Sequence, residues 1–246
     1  MLRALEGEPG MPRVHVTFLA AHNVPPEYFG RRADYIDAVS SWCADASAIG
    51  ADSVDVYCEK DGFSEDEARW ILNAGRRSGL LPRVHACGDS RTGAALLAAE
   101  LGCASADMLH EATEDDVAAL AQAGVAAVVC PGTALQHTAR PPVRAMLDKG
   151  VTVALASDHT PGRNGITSMA LVVSLAVSYL GMSVDEALRA ATIGGSHALR
   201  APDRGAMVRG RLADMVLWDA DHEGAFVWSF GLAPRRVWLG GEPVTA

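Results

Sequence analysis

The sequence predicts an α/β protein, a partial TIM-type (β/α) barrel of about six parallel strands with helices, plus a small C-terminal β appendage. Three observations lead there. Short β-branched runs alternate with helix-period segments as far as residue 202. Polar residues collect at the C-terminal ends of those runs, where a (β/α) barrel builds its site. From residue 203 the helical period disappears.

The strand candidates come in order: "RVHVTFLAAH" (13–22), "DSVDVYCE" (52–59), "PRVHA" (82–86), "SADML" (105–109), "VAAVVCPGT" (125–133) and "VTVALASD" (151–158). Each is apolar nearly throughout, the pattern expected of strands buried on both faces. Between them, "SEDEARWILNAGRRSGL" opens with Ser64 and carries Glu67 three places on, a capping box. "TEDDVAALAQAG" repeats the offset with Thr113 and Asp116, and "SVDEALRAAT" with Ser183 and Glu186. Strand and helix in alternation mean βαβ units and a parallel sheet. A doubly wound sheet would carry a Gly-rich phosphate turn, and neither G-x-G-x-x-G nor a P-loop occurs, so the barrel is favoured. "RGAMVRGRLADMVLWDADHEG" and "RRVWLGGEPVT" alternate with glycines at the turns and read as β-hairpins. The expected division is a barrel segment at 1–202 and a β segment at 203–246. Six parallel strands do not close a barrel and leave two open edges. Pairing with a second copy or another chain, or poor solubility, is expected.

Of the 246 residues, 49% are hydrophobic and 21% charged, ordinary for a globular core. The net charge of −9, with no Lys/Arg run beyond two, argues against nucleic-acid and anionic-membrane partners. The longest apolar run, "MALVVSLAVSYLGM", is about 14 residues, too short to span a bilayer. Five cysteines without a C-x-x-C pair read as reduced, buried thiols of a cytoplasmic protein.

The rim residues are His22, Glu59, His85, Thr133 and Asp158, with His110 just past its strand. For His85 a hydrogen-bonded core role competes with metal binding. For Asp158 a helix cap or loop brace competes with ligation. His22 suits a turn brace or a substrate contact equally. Imidazole and carboxylate at neighbouring strand ends can share a divalent ion, which ionises bound water near neutral pH. Glu59 reads as a rim brace, Asp107 as a locally paired carboxylate, and His137, His197 and His222 as structural or surface residues. A Ser-His-Asp reading fails for lack of a G-x-S-x-G elbow.

Taken in order, "VTFLAAHNVPPEY", "VDVYCEKDGFS", "ARWILNAGRRSGLLPRVHA", "LAAELGCASAD", "VCPGTAL", "VALASDHTPG" and "SMALVVSLAVSYLGMSVDEALRAAT" resemble the imidazolonepropionase family of metal-dependent amidohydrolases. "GRLADMVLWDAD" is similar to the return of such chains into their small β-sandwich. The resemblance implies opening of the 4-imidazolone-5-propanoate ring to N-formimidoyl-L-glutamate in histidine degradation, with one zinc or iron ion. By resemblance His85 is the fifth-strand metal ligand. Asp158 is the eighth-strand ligand and takes a proton from the attacking water. His22 contacts the substrate ring, and Thr160, Gly162 and Arg163 lie near it.

Several positions depart from the family pattern. The first-strand His-x-His metal pair has no counterpart in the sequence. Gly88 stands where the family has an acidic or amide residue, with Asp89 the nearest substitute. Met108 stands where the family has a histidine, with His110 two places on, and Thr160 replaces an asparagine beyond the eighth-strand Asp. Three expectations follow: an enzyme completed by an N-terminal chain, a non-catalytic barrel that binds a partner or small ligand, or a barrel acting on another cyclic amide.

Overall fold

The computed structural model describes residues 2–6, 8 and 10–244. All six expected strands form: β1 (Thr17–Ala21), β2 (Ser53–Cys58), β3 (Leu81–Ala86), β4 (Ser105–Met108), β5 (Ala126–Val129) and β6 (Val153–Leu155). They lie side by side in sequence order, every pair parallel. Among the described residues β1 and β6 each pair with a single neighbour, so the barrel wall is open at both edges.

The register corrects the reading of uniformly apolar strands. Asp55 sits opposite Arg83, Tyr57 opposite His85, and His85 opposite Asp107. Since side chains alternate across a strand, these polar residues share one face. Val54, Val56, Val84, Ala86 and Ala106 occupy the other and join the main apolar core under the helices. Arg83 ties part of this polar face together, while Asp55 Oδ1 and Asp107 Oδ1 have no partner among the described residues. Buried Arg83 donates to Ser53 Oγ at 3.3 Å, Ser105 Oγ at 2.9 Å and the Ala198 carbonyl at 2.7 Å.

The three capping boxes start the helices Glu65–Arg77, Glu114–Ala123 and Val184–Arg189, with both reciprocal bonds made in each. Acidic first turns and the Arg76–Arg77 last turn of Glu65–Arg77 follow the helix dipole. Val184–Arg189 does not stop where the pattern ends. It runs on through a π-turn at Ala190–Gly194 into Gly195–Ala198.

The tail forms an antiparallel sheet of β7 (Met215–Trp218), β8 (Pro234–Leu239) and β9 (Glu242–Val244). Its link to the barrel is the short helix Ala225–Trp228. There Phe226 stands edge-on to Trp218 at 5.1 Å between centroids, and the Phe226 carbonyl accepts a hydrogen bond from Ser174. Arg13 pairs with Asp214 at 2.8 Å from the other side.

All five cysteines are free and buried. Burial pushes their thiols up, Cys58 and Cys103 to about 12. The native chain at pH 8 is therefore expected to give under about one equivalent of thiol with a disulfide reagent, since the thiolate is the nucleophile. All five should react in denaturant, and rapid reaction of several native thiols would contradict this packing.

Candidate functional site

At the C-terminal ends of the strands lies a cavity of about 590 Å³. His22, His85, His110, Thr133, Asp158, Thr160 and Arg163 all line it, as do Asp89, the nearest substitute for the family's acidic residue, and two residues that the sequence reading did not assign to a site, Tyr57 and His137. Gly162 does not line it. That glycine forms the loop tip with φ +83° and no neighbour within 4 Å of an added Cβ.

The rim is held in conformations that side-chain-bearing residues seldom adopt. Cys87 after β3, Met108 and Leu109 at the end of β4, and Asp158 after β6 all have positive φ, from +50° to +79°. Such strain concentrates where surrounding structure fixes a functional geometry. Asp158 lies three places beyond the last β6 residue, Leu155, rather than on the strand. Its Oδ2 accepts a bond from the Thr133 hydroxyl at 2.6 Å. Buried Asn164 ties the loop down by donating to Thr133 Oγ1 at 3.1 Å and the Ser157 carbonyl at 3.0 Å. Thr160 and Asn164 exchange backbone bonds of 2.8 and 2.9 Å, which close the turn. Asp158 is thus neither a helix cap nor a free carboxylate but a braced acceptor at the cavity wall.

His85 projects from the end of β3 beside Tyr57, with ring centroids 4.5 Å apart, and beside His22 at 6.3 Å. Burial pushes the His85 imidazole down to about 4, against the opposing charge of Asp55, so it is neutral at pH 7. Burial and the bond to Asp89 push the Tyr57 phenol up to about 12, so it is a hydrogen-bond donor throughout the physiological range. His22 Nε2 lies 3.0 Å from Asp55 Oδ2. Burial works against the Asp55 charge, but the bond from His22 and the charges of His22, His85 and Arg83 outweigh it and hold the carboxyl low. Asp107, on the same face, is pushed up to about 7 by burial and by Asp55. Its Oδ1 has no partner among the described residues, while the local bond with Ser105, two places earlier, opposes the rise. Glu59 is the rim brace the sequence suggests, accepting from the Gly88 amide at 2.5 Å and from Ser90.

The departures from the family pattern take physical form here. A Cβ at Gly88 would sit 2.9 Å from His85 Nε2 and 3.3 Å from Met108 Cβ, so the backbone itself crowds the imidazole. His110 does not take up the place of Met108. It lies beyond β4 and donates through Nδ1 to the Gly88 carbonyl at 3.0 Å. His137 is half-buried in the cavity wall, with Nδ1 3.3 Å from Asp89 Oδ1, rather than on the outer surface. His197 and His222 stay outside this cavity.

A catalytic zinc takes three protein ligands. Among the described residues no group of three or more His, Cys, Asp or Glu side chains comes together to hold a metal. His85 and Asp158 supply two donors, so the residues present do not by themselves fit the ion. No helix of the described residues is long and apolar enough to cross a membrane.

Comparisons with known proteins agree with the fold. The chain is 42% identical over 230 residues to the imidazolonepropionase of Rhodococcus jostii, and 45% identical over 231 residues to that of Streptomyces avermitilis. The matches cover 92% and 93% of this chain and 56% of each relative, so the chain spans about half the length of the curated relatives it matches. Among solved structures, a zinc-bound adenosine deaminase from Xanthomonas campestris superposes with a TM-score of 0.70 at 20% identity, covering 94% of this chain and 60% of that one. A 5-methylcytosine deaminase from Klebsiella pneumoniae liganded with phosphonocytosine gives 0.72 at 16%, covering 94% and 63%. These two share the fold. The profile of the amidohydrolase family matches residues 59–244, more than half of the sequence and every strand from β3 onward, and the chain belongs to that family.

Proposed function

We propose that this chain forms the catalytic half of a cyclic amidohydrolase of the imidazolonepropionase type, cytoplasmic and completed by further strands that pair with its open edges. The reaction is hydrolysis of 4-imidazolone-5-propanoate to N-formimidoyl-L-glutamate. The single observation that carries the reading is the braced Asp158 facing a cavity shared with His85, His22 and Arg163.

In this reading water attacks the ring carbonyl, and Asp158 takes the proton the water gives up. Thr133 holds the carboxylate through Oδ2. The ring C–N bond breaks, and the proton passes from Asp158 to the departing nitrogen, which balances the step. Tyr57, protonated across the working range, donates to Asp89 Oδ2 and fixes that carboxylate. Arg163 pairs with the propanoate carboxylate. Zinc or iron would supply water activation in this family; His85 and Asp158 would offer two of the four donors the resemblance implies, and the strands that complete the barrel would bring the His-x-His pair. The partner is therefore a complementing chain segment or a second copy, besides the small-molecule substrate.

The test is a panel of 4-imidazolone-5-propanoate with other cyclic amides and ureas, assayed with added zinc, iron or manganese on the completed barrel. Turnover of the imidazolone at least about ten-fold above every other ring is expected. A different preferred ring would move the reading to another cyclic amide. No turnover of any of them favours a non-catalytic binding barrel, the second reading, which the two-donor metal set supports.

A further inference from the structure

The end of β1 is built around an irregularity. Phe18 lies opposite Val54 and Ala21 opposite Val56, so three steps along β1 match two along β2. The extra residue is a β-bulge, and a bulge changes which side chains face inward. Without it the register would set His22 opposite Cys58, on the helix side of the sheet. With it Ala21 takes the helix side and joins the apolar core, and His22 follows on the inner face, its ring 6.0 Å from that of Tyr57.

There His22 meets Asp55, with Nε2 and Oδ2 hydrogen-bonded at 3.0 Å. Asp55 is 7% exposed and its carboxyl is held low, so it only accepts and Nε2 carries the hydrogen. This is the one hydrogen bond its side chain makes among the described residues. Oδ1 has no partner, and Arg83, opposite in the register, donates to Ser53, Ser105 and Ala198 instead. A carboxylate buried for a single bond is poor packing, because asparagine could accept the same hydrogen without the buried charge. Asparagine cannot exclude the other tautomer, however, since its amide can turn and donate. The His22 ring is half-buried in the cavity wall, and its Nδ1 has no partner among the described residues.

We infer that Asp55 is a positioning residue: the β1 bulge brings His22 to it, and their bond holds His22 as the Nε2–H tautomer, with Nδ1 a lone pair that accepts a hydrogen from the occupant of the cavity. The bond at one ring nitrogen sets what the other can do. The inference rests on the proposed function only for the identity of that occupant. The tautomer belongs to the chain alone.

The first test is the ¹⁵N and ¹H spectrum of the histidine rings in the full chain at about pH 9, above the ordinary imidazole range. His22 is expected to show an unprotonated Nδ1 and a downfield Nε2–H proton protected from exchange. Asp55→Asn should lose that downfield proton and admit the second tautomer. Asp107→Asn, which removes the other carboxylate of the same face, should leave the proton in place. On the completed barrel, Asp55→Asn should raise KM about ten-fold with kcat within about three-fold. His22→Gln should raise KM similarly, and adding Asp55→Asn to it should cost nothing further, because a positioning residue acts only through the residue it positions. A hydrogen on Nδ1 in the unmodified chain would overturn the inference, and that reading needs no variant to fold. Unchanged His22 signals in Asp55→Asn, an equal change in Asp107→Asn, or additive effects on KM would overturn it as well. A completed barrel that turns nothing over while His22 shows the expected tautomer sinks the proposed reaction alone. Hydrolysis by a chain whose His22 carries its hydrogen on Nδ1 sinks the positioning role alone.

Discussion

Replacing Gly194 by alanine lowers the stability of the chain by about 3 kcal/mol, a fall in Tm of roughly 6–12 °C for a domain of this size. The cause is space rather than backbone freedom. Gly194 has an ordinary helical φ of −59°. A Cβ there would run into the carbonyl oxygen of Val153 and come within 3.0 Å of its carbonyl carbon and 3.2 Å of the Ala154 Cα. These are strand backbone atoms, which cannot rotate away. The π-turn at Ala190–Gly194 is what brings the helix this close to β6. Gly195, the next residue, has the same φ and nothing within 4 Å of its added Cβ. Gly195→Ala is expected to be neutral or to stabilise by up to about 1 kcal/mol, as alanine does within a helix. Denaturant melts of the pair check the claim, and equal behaviour of the two variants would contradict it. The consequence reaches the site, because β6 leads directly into the loop that carries Asp158.

The second large effect falls on chemistry. Asp158→Asn removes the proposed proton acceptor while keeping the shape. An amide oxygen can still accept from Thr133, and asparagine tolerates the positive φ of +50°. A drop of about 10²–10⁴ in kcat is expected, the usual worth of a positioned acid–base group, with the melting transition unchanged. Thr133→Val leaves the carboxylate in place but unbraced, and should cost about ten-fold in kcat. A loss of folding in Asp158→Asn would mean that the carboxylate is a structural brace.

Much of the scaffold is legible in the sequence. The strands announce themselves by β-branched runs, and the capping boxes at Ser64, Thr113 and Ser183 mark helix starts by a fixed offset that the backbone bonds then satisfy. The resemblance to imidazolonepropionases and the rim pattern both picked out His85 and Asp158, which share one cavity. What escaped has identifiable causes. The polar interior face is hidden in short strands, where two residues such as Asp55 and Tyr57 are all the alternation there is. Asp89 and His137 lie in loops far apart in sequence, and their meeting depends on the path forced by positive φ at Cys87 and by Gly88. The π-turn carries no sequence periodicity of its own, so the reach of Gly194 toward β6 becomes visible only in three dimensions.

In the proposed function this chain holds the acid–base half of a hydrolytic site that works once the barrel is completed. Its most direct test is the rate of 4-imidazolone-5-propanoate ring opening by the chain mixed with the N-terminal part of the Streptomyces avermitilis relative, with and without Asp158→Asn. Hydrolysis well above background is expected in the mixture, with its loss on Asp158→Asn. Background rates in the mixture, or hydrolysis that Asp158→Asn leaves untouched, would contradict it.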